Sequence, residues 1–354
     1  GPRVLFQLGE NYDDAPGGIT LSPERRSPTR PAWKIARKRA GPEIGAPPRP
    51  QNPGQCQDAP RSGWRQEIHC QTWWFPTTFR LWRSHRTNFM IVFLHIPKTG
   101  GTTFQFILEN SFGFFHCHLG QMRKKFVDQR DVEFAKKLFL RMRSIAGPNL
   151  YDPLSFSLPE PFYITFLRDP VTRVFSNYQD DVLRGGETIT FEQMLRSNPK
   201  LENHQVKRLA GRADLGRAKL ALEKFHVVGL TEKFDLSLHI IDRLCPTRLN
   251  LNYKRKITAR DNTIKKSLES DSRLVEMTRE YNKLDIELYD FAVKEIFPKI
   301  CAKAGFSPTD KVSSYDKYSS ERRPGFLLAR LYNQTFFRNV CKIYQKRRDR
   351  EKLA

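Results

Sequence analysis

An α/β fold built on a parallel sheet is what the sequence predicts, and three apolar runs with helical sequels are the reason. Met90–Ile96, Phe162–Leu167 and Phe225–Leu230 are apolar at nearly every position, the pattern of strands buried on both faces. Each leads into a stretch with helical spacing: Thr103–Asn110, Val171–Leu183 and Phe234–Leu244. Strands that alternate with helices pair in parallel, with the helices flanking the sheet.

The segments around this centre read differently. Residues 1–65 are rich in Pro, Gly and Arg, as in Ser22–Pro31 and Gly45–Gly54. Without hydrophobic periodicity such a stretch cannot offset the entropy of ordering, so it is expected to be disordered. Residues 66–88 form an aromatic, basic lead-in from Trp73-Trp74-Phe75 to Trp82, read as an extension that packs on the core. Lysine- and glutamate-rich helical stretches follow the third strand from Asp261 to Gly305, and they close a domain over 89–305. Residues 306–354 form a basic helical tail. From Tyr318 onward it holds ten Lys and Arg against three Asp and Glu, and Phe326–Tyr344 is amphipathic. The adopted reading is a solvated terminal helix. Peripheral contact with a membrane surface, or with a glycan, is the alternative.

Charge bounds the partners. The 354 residues carry 61 Lys and Arg against 38 Asp and Glu, a net charge of +23. This favours polyanions, whether nucleic acid, anionic membrane, phosphate-bearing cofactors or acidic polysaccharide, without choosing among them. No nucleic-acid-binding motif accompanies the charge, so no nucleic-acid partner is expected. The six cysteines form no C-x-x-C pair and are read as free thiols. No run approaches the ~20 apolar residues of a membrane span. The chain begins with Gly, not Met, so a removed leader stays open.

The sharpest motif is His95-Ile96-Pro97-Lys98-Thr99-Gly100-Gly101-Thr102-Thr103-Phe104, at a strand-to-helix junction. Amides at a helix start, with the helix dipole, form an anion site. Gly100 and Gly101 let backbone approach a phosphate, Thr102 and Thr103 add hydroxyls, and Lys98 adds a mobile charge. A Walker loop would place Lys directly after the last Gly; here Lys98 precedes both. A second anion element follows the next strand: Arg168-Asp169-Pro170-Val171-Thr172-Arg173-Val174-Phe175-Ser176. Arg168 falls at the strand end and Ser176 about two helical turns along. Both could face one anion at the carboxyl edge of the sheet, where open α/β folds bind ligands.

These two motifs resemble those of the Golgi-type carbohydrate sulfotransferases and their bacterial relatives. The Lys-Thr-Gly-Gly-Thr-Thr-Phe order is closest to the heparan sulfate 6-O-sulfotransferase form. The resemblance implies a P-loop-like sulfotransferase fold. It implies that Pro97, Lys98, Thr99, Gly100, Gly101, Thr102 and Thr103 hold the 5′-phosphosulfate of 3′-phosphoadenosine 5′-phosphosulfate (PAPS), with Lys98 at the bridging oxygen. Arg168 and Ser176 would then hold the 3′-phosphate, while Arg173 packs or contacts substrate. Phe115-His116-Cys117-His118 resembles the aromatic-His-Gly-His segment of the 2-O-sulfotransferase, with Cys117 in place of Gly. That likeness makes His118 the general base and His116 the fallback. His95 is read as structural. Asn203–Gly211, Val228–Phe234 and Leu288–Ala292 match softer family segments, the first expected near the acceptor.

The expected activity is metal-independent sulfuryl transfer from PAPS to a glycan hydroxyl. Lys207, Arg208 and Lys254–Lys256 are candidates to contact an anionic acceptor, although a neutral one fits the motifs as well. Golgi members carry a membrane anchor, so this chain is expected to be either a soluble bacterial-type enzyme or a lumenal portion. Nothing in it sets an oligomeric state. The rival readings are a nucleotide-dependent kinase, disfavoured by the missing Walker pattern, and a polyanion-binding protein without turnover.

Overall fold

A computed structural model describes residues 89–353 apart from 140, 186–188, 254–262 and 317–324. The expectations for residues 1–88 and for Lys254–Lys256 lie outside the described residues. Five strands are present: β1 (Met90–Leu94), β2 (His116–His118), β3 (Ser144–Gly147), β4 (Pro161–Leu167) and β5 (Val227–Leu230). They pair in the order β2-β3-β1-β4-β5, and every pairing is parallel. The α/β expectation is met.

β1 lies at the centre, with Val92 opposite Ile145 on one side and Tyr163 on the other. A strand with neighbours on both edges and helices on both faces must be apolar throughout, and all five residues of β1 are buried. It ends at Leu94, two residues earlier than the apolar run predicts. Ile96 is buried, but its carbonyl accepts from the Thr99 hydroxyl at 2.8 Å instead of extending the ladder. β2 and β3 escape the sequence reading because three and four residues give too short a pattern to register.

Around the sheet lie α1 (Gly101–Phe112), α2 (Gln129–Leu138), α3 (Pro170–Asp180), α4 (Phe191–Ser197), α5 (His204–Ala210), α6 (Leu215–Lys224) and α7 (Phe234–Leu244). A helical run follows in α8 (Thr263–Ser270), α9 (Ser272–Tyr281), α10 (Lys283–Phe291) and α11 (Phe297–Ala304), and the chain closes with α12 (Phe326–Tyr332) and α13 (Arg338–Leu353). Local sequence sets the starts. Asp128 and Asp131 form a reciprocal capping box on α2, as Thr190 and Gln193 do on α4. Asp169 caps α3 ahead of Pro170 in the first turn.

The C-terminal helices correct the solvated-tail expectation. Phe326 packs edge-to-face on Phe106 of α1 at 5.3 Å, and Phe337 and Cys341 are fully buried. Tyr344 stacks on Phe134 of α2 at 3.8 Å, and Arg348 reaches Asp131 at 2.7 Å and Asp128 at 2.9 Å. Asn333, between the two helices, addresses the open edge of β2. Its amide donates to the His116 carbonyl at 3.2 Å, and its oxygen accepts from the His118 N–H at 3.2 Å. One side chain thus satisfies groups that a sixth strand would otherwise pair. Phe326, Ala329, Phe337 and Cys341 thus pack inward on α1, α2 and the sheet edge, while Leu327, Leu328, Leu331, Phe336 and Ile343 stay exposed.

Burial also leaves a mark on the histidines. His95 and His116 are sealed in the core, and burial, the largest cause in each case, holds each pKa near 3 against an ordinary 6.5. For each, the unfolded chain binds a proton below about pH 6.5 that the fold refuses until about pH 3. Stability is therefore full above pH 6.5 and lost as pH falls, by roughly 1.4 kcal/mol per pH unit for each ring well below 6.5. Urea unfolding at pH 7.5, 6 and 5 should show a steepening loss. A free energy flat from pH 7.5 to 5 would contradict this burial.

Candidate active site

The phosphate loop occupies the carboxyl end of β1. Lys98 adopts φ of 70° and Gly100 φ of 79°. The left-handed region is natural for Gly but strained for Lys, and such strain is commonly held at functional turns. At Gly101 the constraint is contact: an added Cβ would stand 2.1 Å from the His95 ring. His95, just past the strand, is thus the packing partner of the loop, in keeping with its structural reading. The N-terminus of α1 has no side-chain cap and no acidic residue in its first turn. Thr102 is exposed at that end and Thr103 half-buried, with the Thr103 N–H returning to Gly100 O at 3.0 Å. The Thr99 hydroxyl, buried and bonded to Ile96, faces inward.

Arg168 sits at the end of β4, and its guanidinium donates to the Lys98 carbonyl at 2.9 Å. Two motifs separated by 70 residues in sequence are therefore joined directly. A buckle holds Arg168 from behind. Gln205 accepts from the Arg168 N–H at 3.1 Å and donates to its carbonyl at 2.9 Å. Asp285 of α10, fully buried, accepts from the N–H groups of Gln205 and Val206 at 2.9 and 2.8 Å. Burial pushes the Asp285 carboxyl up, and the nearby Arg173 charge and these two amides oppose that rise. Lys98 Nζ pairs with Asp180 of α3 at 3.1 Å. Ser176, half-buried, lies one helical turn before Asp180 on the same helix.

The histidine pair divides. His116 is fully enclosed, with Nδ1 2.8 Å from the Ser144 hydroxyl. His118 lines a cavity of about 290 Å³ together with Thr102, Glu109, Gln121, Arg330 and Gln334. Nδ1 of His118 lies 3.8 Å from Glu109 Oε1 and 3.4 Å from the Gln121 amide. Gly120 leaves the ring its room, because a Cβ there would stand 2.7 Å from Nε2. Burial, and then the charge of Arg330, lowers the His118 pKa to about 4. At neutral pH the ring is uncharged and can accept a proton. Cys117 is accommodated as a fully buried residue in the extended strand. A larger cavity, about 700 Å³ and lined by His239, Arg243, Arg248 and Phe306, contains none of these motif residues.

Several expectations are corrected. Asn203 and Gln205, expected near the acceptor, are buried: Gln205 clamps Arg168, and Asn203 accepts from the Leu284 N–H at 3.0 Å. Arg208 is enclosed, donating to the carbonyls of His95 (2.8 Å) and Pro148 while its guanidinium lies 4.0 Å over the Tyr151 ring. Lys207 pairs with Glu202 at 3.0 Å. Neither cation faces the His118 cavity. Arg173 is wholly buried and donates to Leu201 O at 3.3 Å, which is the packing branch of its reading. Asp180, Glu109, Gln121 and Arg330 were not legible as site residues, since each meets its partner only through the fold. Among the described residues no cluster of three or more His, Cys, Asp or Glu could hold a metal ion.

The chain is 28% identical over 274 residues to heparan-sulfate 6-O-sulfotransferase 1 of Cricetulus griseus, which covers 59% of this chain and 67% of that protein. The Homo sapiens protein of the same name gives 28% over 274 residues, 59% and 65%. The chain thus spans about two thirds of the length of these curated relatives. A crystallised sulfotransferase from Alicyclobacillus acidocaldarius aligns with a TM-score of 0.33 at 18% identity, covering 58% of this chain and 96% of that chain. The model of the sulfotransferase family matches residues 83–292, which takes in the glycine turn, the Arg168 element and both β2 histidines, and the chain belongs to that family.

Proposed function

We propose that the protein transfers the sulfuryl group of PAPS to a hydroxyl of a glycan. The observation that carries this reading is the shared cavity: Thr102, from the start of α1, and His118 line the same space. An anion held at the loop and a hydroxyl held at His118 would meet across it. Family membership and the names of the relatives support the reaction class and the glycan acceptor.

The residues fit a doubly phosphorylated donor. An uncapped helix start without acidic residues, backed by Lys98, suits the 5′-phosphosulfate. The Arg168 guanidinium beside it, with Ser176, suits the 3′-phosphate. Bound there, PAPS supplies the sulfuryl group and a phosphate leaving group. His118 takes the proton of the acceptor hydroxyl as its oxygen attacks, and Glu109 beside Nδ1 stabilises the imidazolium that results. Lys98 stabilises charge growing on the departing phosphate, an electrostatic contribution that is usually the largest single one. No step in this scheme calls on a metal.

Two sets of variants test it. Calorimetric titration of the wild-type protein with 3′-phosphoadenosine 5′-phosphate in EDTA should give micromolar binding. Lys98→Ala and Arg168→Ala should each weaken it by about tenfold or more, the scale of a charge-assisted hydrogen bond. A folded wild-type protein that ignores this nucleotide would overturn the reading and leave glycan binding without turnover.

His118→Ala should bind the nucleotide normally yet lose about 10²–10⁴ in turnover of heparan sulfate. Near-wild-type turnover would remove His118 from the mechanism. The His118 ring, assigned by comparison with His118→Gln, should also show no NMR titration between pH 8 and 5.5. Its pKa near 4 places protonation below that window; a midpoint at 6.5 would contradict it.

A further inference from the structure

The family match stops at residue 292, yet the His118 cavity has a wall drawn from beyond it. Arg330 of α12 and Gln334, one turn on, both line the cavity. The helix that presents them is fixed on two sides. Phe326 and Ala329 are buried, Phe326 against Phe106 of α1. Asn333 bonds the strand that carries His118. Arg330 therefore has a set position relative to His118, and its charge is among the causes that disfavour the His118 imidazolium.

Nothing described compensates Arg330. It is half-buried and makes no ion pair among the described residues, whereas Arg348 on α13 has two carboxylates. Among the described residues, Glu109 is the carboxylate that lines the cavity, and it stands at His118 and accepts from Gln105 at 3.2 Å. A half-buried guanidinium facing a cavity is matched by an anion that arrives with the ligand, and its planar fork fits a carboxylate or sulfate in two-point contact. Gln334 adds an amide donor beside it.

We infer that Arg330, with Gln334, forms an acceptor subsite that binds an anionic group of the glycan next to the hydroxyl presented to His118. The inference rests on the transferase reading above and adds to it which acceptors are chosen and by what. The C-terminal helix is thereby a specificity element, acting through the two side chains it turns into the cavity.

The experiment compares kcat/KM on heparan sulfate, its carboxyl-reduced form and its desulfated form, for wild type, Arg330→Ala and Arg330→Lys. Wild type should prefer the anionic polymer over one of the two neutralised forms, and the form that loses most identifies the group as carboxylate or sulfate. Arg330→Ala should shrink that preference by about tenfold or more. Arg330→Lys, which keeps the charge without the fork, should fall between. Nucleotide binding and melting temperature within error of wild type would show that Arg330→Ala is folded with its donor site intact. A wild type that turns over all three polymers equally, or an Arg330→Ala that keeps the full preference, would overturn the subsite while leaving the transferase reading standing. Absence of nucleotide binding and turnover in wild type would instead remove that reading itself.

Discussion

The Lys98 carbonyl and the Arg168 guanidinium, 2.9 Å apart, are the contact through which the rest of the site is assembled. Each belongs to a loop that has just left a strand, where backbone groups have no ladder to pair with. The loop after β1 needs a donor for its strained turn, and the loop after β4 supplies one. That arrangement only works if Arg168 is itself immobile. Gln205 holds it by two backbone bonds, and Asp285 fixes Gln205 from the interior. The chain of support runs from a buried carboxylate through α5 to the phosphate loop. The buried carboxylate is tolerable because two amides donate to it and the Arg173 charge lies near.

The same logic recurs at the sheet edge. β2 is three residues long and carries the ring that faces the cavity, so its position cannot rely on strand length. Parallel pairing with β3 secures one side, and Asn333 the other. Without that amide the outer groups of β2 would be buried and unpaired at a cost of about 1–3 kcal/mol each. The C-terminal helices are thus required by the geometry of an edge strand. Their contact with the cavity follows from covering it.

Much of this was legible in the sequence where patterns are local. The runs at 90–96, 162–167 and 225–230 mark the three strands at the centre and one edge of the sheet, and α7 spans Phe234–Leu244 as its periodicity predicts. The glycine turn is equally readable, because a backbone that must enter the left-handed region or lie under a ring leaves Gly as its trace. What stayed illegible is relational. Arg208 and Lys207 resemble binding cations in sequence, but one is spent on carbonyls and the other on Glu202. Arg330 looks like one cation among ten in a basic tail, and only the docking of α12 on α1 brings it to His118. Charge counts describe the surface, whereas function depends on which charges the fold leaves facing a cavity.

Lys98 shows how such a charge is kept available. Its ammonium rests on Asp180 at 3.1 Å, but the two side chains are 17% and 31% exposed. The pair is half-buried, so a phosphate oxygen arriving at the ammonium would exchange one charge-assisted contact for another of the same kind. Asp180 positions the lysine from the helix that carries Ser176. Arg208, sealed against two carbonyls and an aromatic face, is the opposite case, since pulling it away would strand a buried charge at a cost of several kcal/mol. The two cations mark the range within this fold: Arg208 is enclosed and serves the core, whereas Lys98 is held at the carboxyl edge of the sheet by a carboxylate whose place an anionic ligand could take.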